Sequence, residues 1–343
     1  MALSYNQEDA MRRGIWIYIG GRLLRSVLVL WVIVTILFLL FRLAPGNPLT
    51  AYIDTTFTAE QQQALLSRFG LDRPLYEQYV IYLGNLIQGD LGDSFHRGGP
   101  VIDQISDVLP NTLYLTISAL LIAYLYGIVG GIFLAARRGT PIEKGGIVFT
   151  LMTRAAPEFW IGMMLLSVFA FELRWLPSSG TAPAGTIFSS ELEKVTSPVF
   201  WRHMLLPTFT LALYLHGLPL LLMRSNMMEV MDQDFITMGR LAGYSERRLM
   251  IQHAARNALL PVLTAFTLGI GYSIAGNVLI ENVFAWPGIG RLLVRAVNTA
   301  DYPLAQGAFF IIAAITVALN FIADVLYGFL DPRVGASDQA QVS

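Results

Sequence analysis

The chain has 343 residues, 55% of them hydrophobic and only 14% charged, with a mean hydropathy of +0.55, which is too apolar for an ordinary water-soluble domain of this length. A formal net charge of -1 argues against a nucleic-acid partner, because phosphate binding needs a concentrated basic surface. The absence of cysteine excludes disulfides, thiolate catalysis and Cys-ligated metal sites.

Residues 1–22 form a polar lead-in carrying Arg12 and Arg13. The apolar run that follows, Leu23 to Leu43, is long enough to span a bilayer and too long for the core of a cleaved signal, so it predicts an uncleaved helix. Five more windows of that kind follow: Asn111 to Ala136, Gly146 to Leu173, Met204 to Met228, Ala258 to Val283 and Leu304 to Leu330. Continuous runs favour helices over barrel strands, which alternate in shorter segments, so the fold class is an all-α integral membrane bundle with six transmembrane helices.

Positive residues resist translocation. They collect at Arg12, Arg13, Arg22 and Arg25, then at Arg137, Arg138 and Lys144, then from Arg224 to Arg256, and finally at Arg333, which places the N- and C-termini in the cytoplasm with residues 332–343 as a cytoplasmic tail. The segment 44–110 is acid-rich and predicts an extracytoplasmic insertion with helices at Ala59 to Phe69 and Tyr76 to Leu86 on either side of Pro74. It either meets an extracytoplasmic partner or caps the helix ends. The outer segment Trp175 to Arg202, rich in Pro, Ser, Gly and Thr, predicts an irregular loop.

Ionisable groups inside spans are costly and face a bundle interior or a water-filled path. Arg154 and Glu158, four residues apart on a predicted helix, form either a local ion pair or part of a translocation path, and His216, Asn226 and Asn277 are further candidates for that path, against a packing role. Gly127 to Gly131 and Gly269 to Gly276 predict close helix contacts. Pro157, Pro207, Pro219 and Pro261 predict kinks or helix starts.

The inner segment 229–257 presents short helices. Asp234 is the expected cap of a helix from Phe235 to Ala242, Gly243 ends it in a left-handed turn, and Ser245 caps the next, with Glu246, Arg247 and Arg248 in its first turn. Phe235, Met238, Leu241 and Ala242 share one face and Thr237, Gly239 and Arg240 the other. Such an amphipathic element suits either a groove on a soluble partner or the lipid surface.

Several separated motifs carry a resemblance. They are Arg42-Leu-Ala-Pro-Gly-Asn-Pro48, Gly89-Asp-Leu-Gly-Asp-Ser94, Pro157-Glu-Phe-Trp-Ile-Gly162, Trp175-Leu-Pro-Ser-Ser-Gly180, His253-Ala-Ala-Arg-Asn-Ala-Leu-Leu-Pro261, Glu281-Asn-Val-Phe-Ala-Trp-Pro-Gly-Ile-Gly-Arg291, Asp301-Tyr-Pro303 and Leu330-Asp-Pro-Arg-Val334. In this order they resemble the B-type permease of bacterial dipeptide and oligopeptide ABC transporters along nearly the whole chain. The resemblance implies the type I ABC importer permease fold, with a five-helix core over 111–331, and an inner-membrane location. It also implies docking of the loop Glu229 to Pro261 on an ATP-hydrolysing subunit, with Gly243 as the signature glycine. The usual acidic-Ala-Ala lead-in is replaced here by Thr237, Met238 and Gly239, and the usual lysine before the glycine by Ala242.

The only lysines are Lys144 and Lys194, and neither lies in a Gly-x-x-x-x-Gly-Lys-Ser/Thr phosphate loop. The chain is therefore expected to bind no cofactor and not to be an enzyme, with ATP and Mg held by partners. The resemblance implies a second homologous permease subunit, two ATP-binding subunits and an extracytoplasmic substrate-binding protein. A bulky residue at Gly243 is expected to uncouple ATP hydrolysis from uptake. Peptide is the first expectation for substrate; nickel chelates, glutathione and oligosaccharides are alternatives within the same role. A membrane enzyme is disfavoured, since neither His-Glu-x-x-His nor Gly-x-Ser-x-Gly occurs. An ATP-independent secondary transporter or channel shows no clear inverted repeat or coupling-ion site.

Overall fold

A computed structural model describes residues 2–43, 72–275 and 277–330. Among these, every regular element is helical, and one isolated bridge joins Asp93 to Pro100. The predicted helix at 59–69, most of the motif at 42–48 and the tail at 332–343 lie outside the described residues.

The first helix, α1, runs Ala2–Leu43 and merges the expected lead-in with the first span. Its apolar part, Tyr18–Leu43, is long enough to cross a bilayer. The insertion contributes α2 (Leu75–Ile87), started by Pro74, close to the predicted 76–86. α3 (Val101–Ala136) begins well before the expected Asn111, with Pro110 tolerated inside it. At 36 residues it is about 54 Å long, more than a bilayer core requires.

The third expected span is not one helix. α4 (Pro141–Ala155) and α5 (Glu158–Leu165, continued by a π-helical turn over Leu166–Glu172) meet at 103°. The cause is local: a residue before proline is driven out of the helical region, and Ala156 sits at ψ 138 ahead of Pro157. The fourth window divides more gently into α7 (Pro198–Leu215) and α8 (Gly217–Met231), bent by 42°. Pro219 cannot donate to Leu215 and its ring crowds that carbonyl, so the bend falls four residues before the ring. Between α5 and α7, the segment expected to be an irregular outer loop contains α6 (Glu191–Thr196), capped by Ser190, whose hydroxyl accepts from the Glu193 N–H at 3.2 Å.

The inner segment holds α9 (Asp234–Leu241), the single turn α10 (Glu246–Arg248) and a π-helical stretch Leu249–Ala254. The fifth window likewise divides, into α11 (Ala255–Ala275) and α12 (Val278–Val283). α13 (Ile289–Asn298) and α14 (Tyr302–Leu330) are the last of the described elements. Among the described residues, three single helices are long and apolar enough to cross a membrane, or up to five spans if each bent pair counts as one.

Packing is organised around close backbone approach. A Cβ on Gly127 would lie 2.7 Å from Pro219 Cγ, and one on Gly131 the same distance from the Leu220 carbonyl oxygen and Met223 Cβ, so both glycines let α3 press against α8. One core forms around Trp286, Phe200, Leu115 and Phe284, a second around Phe41, Val101, Leu293 and Leu304, and a third around Tyr124, Met223, Met227 and Val262. Large apolar side chains such as Leu28, Trp31, Leu125 and Met152 are exposed, the pattern of a surface solvated by lipid.

Candidate functional site

The hairpin over 229–257 is anchored on one side and open on the other. Ile236 and Leu249 are buried in the third core beside Met223 and Met227. Gly239 permits this, because a Cβ there would stand 2.6 Å from Leu249 Cδ2. With Ile236 and Gly239 turned inward, Phe235, Met238 and Leu241 face outward, 41%, 69% and 85% exposed.

The turn is tightly specified. Gly243 has φ +83 and donates to the Arg240 carbonyl at 3.0 Å, while Tyr244 N–H donates to the Gly239 carbonyl at 3.0 Å, the paired bonds of a Schellman cap. Ser245 Oγ accepts from Arg248 N–H at 3.4 Å. Arg240 grips Glu246 with two bonds, 2.6 and 3.3 Å, and that contact holds the Glu246 carboxyl below the usual carboxylate range. The Arg248 guanidinium lies 4.3 Å over the Tyr244 ring, which stacks on His253. Asp234 is not the cap: Gln233 occupies that position with no side-chain bond, and Asp234 is the acidic residue of the first turn. Arg247 and Ala242 are exposed.

Just before the hairpin, α8 is clasped to the α3–α4 turn. Buried Glu143 accepts from Arg224 Nε at 2.8 Å and from Gly139 N–H at 2.6 Å, and Arg138 pairs with Asp232 at 3.4 Å. Sequence reading treated Arg224 and Arg138 only as topology signals; the sole clue was a glutamate in the first turn after Thr140-Pro141.

The candidate path residues separate into two groups. Arg154, Glu158 and Asn277 line one cavity of about 530 Å³ together with Tyr124 and Tyr214, and leucines of α7 and α8 close its apolar side. Arg154 and Glu158 do not pair with each other, because the break at Ala156-Pro157 puts them on different helix axes. Neither has a hydrogen-bond or ion-pair partner among the described residues. The aliphatic stem of Arg154 rests on the α7–α8 bend, where a Cβ on Gly217 would be 3.5 Å from Arg154 Cβ and Cδ. Asn277 is 1% exposed, donates to Thr116 Oγ1, and its Oδ1 has no partner among the described residues. His216 and Asn226 are not among the cavity's lining residues. His216 Nδ1 is 2.6 Å from the Leu213 carbonyl with the ring edge-on to Tyr126, and Asn226 donates to the Ala258 carbonyl at 3.4 Å.

Two distant motif pairs meet at buried carboxylates. Glu281 accepts from Thr112 Oγ1 at 2.5 Å and from Arg291 N–H at 2.9 Å, so it caps α13, and Thr112 Oγ1 in turn accepts from Ile289 N–H at 2.9 Å. Gly288 lies directly against the Glu281 carboxyl, leaving no room for a side chain. Asp301 accepts from Ser94 Oγ at 2.6 Å and from the Phe95 and His96 N–H groups at 3.0 and 3.1 Å, tying the 89–99 loop to the start of α14.

Comparison with known proteins agrees with this architecture. Residues 127–336 match the family model described as the binding-protein-dependent transport system inner membrane component, and residues 16–116 match the N-terminal model of such membrane components. The di/tripeptide transport system permease protein DppB of Pseudomonas aeruginosa is 36% identical over 87% of this chain and 92% of its own. The oligopeptide transport system permease protein AppB of Bacillus subtilis is 37% identical over 92% and 98%. The glutathione transport system permease protein GsiC of Escherichia coli is 31% identical over 92% and 98%. Among solved structures, an inward-facing MetNI methionine ABC transporter chain matches with a TM-score of 0.52 at 13% identity, covering 67% of this chain and 97% of that one, a likeness of fold.

Proposed function

This chain belongs to the inner membrane components of binding-protein-dependent transport systems, and from that premise we propose that it forms one half of the substrate path of an ATP-driven importer of di- and oligopeptides. The relatives named for di/tripeptide and oligopeptide transport support the substrate class. In this reading six helices cross the inner membrane with both termini cytoplasmic, and the hairpin 229–257 faces the cytosol. A second homologous permease completes the path, two ATP-binding subunits hold ATP and Mg, and an extracytoplasmic protein delivers substrate. The chain itself binds no cofactor.

The observation that carries the reading is the hairpin. An apolar knuckle of Phe235, Met238 and Leu241 is presented outward on a base buried through Ile236 and Leu249, which is the form of a protruding element that fits a groove on a soluble partner. Closure of the two ATPases would then move the hairpin, and with it α8, tipping the path between inward-open and outward-open states. The Arg154–Glu158–Asn277 cavity is the segment of path belonging to this subunit.

Leu241→Asp tests the docking directly. The side chain is 85% exposed, so the fold tolerates a carboxylate there, while a partner groove does not. Co-purification of the ATPase subunits and ATP-dependent peptide uptake in proteoliposomes should both fall at least about tenfold, as for a hot-spot contact. Unchanged uptake would remove the docking assignment.

A further inference from the structure

Resting on the reading that the cavity belongs to the substrate path, we propose that Arg154 and Glu158 act as a separated charge pair reading the two ends of a zwitterionic peptide. Arg154 takes the C-terminal carboxylate and Glu158 the N-terminal ammonium.

Two opposite charges four residues apart would pair on a continuous helix. Here the 103° break between α4 and α5 separates them, and neither finds another partner among the described residues. Arg154 is exposed and Glu158 half-buried, so both charges are open to a ligand, and charges within a membrane-spanning bundle are costly unless water or a ligand meets them. A peptide with free termini supplies both counter-charges in one molecule, whereas an ion or a singly charged solute supplies one. The cavity, about 530 Å³, is of the size that small-molecule sites occupy.

Asn277 provides the independent observation. Its side chain is 1% exposed, its amide is committed to Thr116 Oγ1, and its Oδ1 is an acceptor without a donor among the described residues. A buried orphan acceptor at the cavity wall matches a peptide N–H, which lies between the two termini of any free peptide. The orientation of the pair is supported by the helix ends: Glu158 opens α5, where a carboxylate is favoured and positioned by the first turn, and the Arg154 stem is laid over Gly217.

The test uses the assembled transporter, detergent-solubilised without its binding protein, so that only the membrane site selects. Equilibrium binding of labelled Ala-Phe is competed by unlabelled Ala-Phe, N-acetyl-Ala-Phe and Ala-Phe-amide. In the parent, each blocked form should compete at least about tenfold less well, the order of one desolvated ion pair. Arg154→Gln should abolish discrimination against the amide alone, and Glu158→Gln discrimination against the acetyl form alone, with Arg154→Lys restoring the first. Co-purification of the ATPase subunits with each variant reports assembly. Equal competition by all three ligands in the parent, or equal weakening of all three by either substitution, overturns the charge-pair assignment while leaving a peptide path intact. Failure of the parent to bind or transport any peptide overturns the path reading itself.

Discussion

Replacing Glu281 by Gln should destabilise the end of the bundle where α12 and α13 meet by about 1–3 kcal/mol, the cost of one buried orphan donor. The carboxylate accepts with both oxygens, from Thr112 Oγ1 at 2.5 Å and from Arg291 N–H at 2.9 Å. An amide has one acceptor oxygen. Turned to keep the Arg291 N–H, it sets its NH2 against the Thr112 hydroxyl, which loses its acceptor while still receiving Ile289 N–H. Turned the other way, it orphans the N-terminus of α13. Glu281→Ala should cost more, roughly 3–5 kcal/mol, since it strands both donors and leaves a cavity. The assay is unfolding of the detergent-purified subunit in titrated SDS, with protease cutting between 284 and 300 as a local readout. A cycle with Thr112→Val separates the shared bond from the rest, and the two changes should be strongly non-additive. If Glu281→Gln unfolds at the parent midpoint, with no gain in cutting, then the carboxylate does not hold α13 and the reasoning fails.

Asp301→Asn should release the 89–99 loop, because three donors of that loop converge on the one carboxylate; faster proteolysis of that loop, with α14 intact, would show it. Gly131→Ala should weaken α3–α8 packing by about 1–3 kcal/mol, the usual cost of overpacking, since the added Cβ meets the Leu220 carbonyl and Met223 Cβ at 2.7 Å. Gly130→Ala should be milder, as it meets only the tip of the Leu220 side chain at 3.0 Å; equal SDS midpoints for the two would refute the distinction. The Arg240–Glu246 contact depresses the carboxyl, so its contribution is present above the ordinary glutamate range and is lost as pH falls below it through the lowered value. Hydrogen exchange at 243–249 should therefore be unaffected between neutral pH and that range and should accelerate, beyond the intrinsic pH trend, only below it.

Hydropathy located the apolar stretches well, because the requirement for about 20 consecutive apolar residues is imposed by the bilayer and is local. It could not show where helices bend. Pro157 and Pro219 were visible as kink formers, but whether a proline turns a helix by 103° or 42° depends on what the freed ends pack against. The hairpin's turn was readable, since Gly243 and Ser245 act through their immediate neighbours; Asp234 is not the cap because the helix already begins at Asp234, after Gln233, which makes no side-chain capping bond. The Arg154–Glu158 spacing suggested a pair only on the assumption of an unbroken helix. Contacts such as Glu143–Arg224, Thr112–Glu281 and Ser94–Asp301 join residues 81, 169 and 207 apart, and no local pattern encodes such distances.

The continuity of α8 ties two of these features together mechanically. Its 15 residues form a rod about 22 Å long. Gly217, under the stem of Arg154, is at one tip, and Asp232, bound to Arg138, follows the other. Tilting such a rod by about 10° around its centre carries each tip roughly 2 Å in opposite directions. A push on the Phe235–Met238–Leu241 knuckle would thus shift the floor beneath a guanidinium on the far side of a helix bend, with no relay of breaking bonds in between.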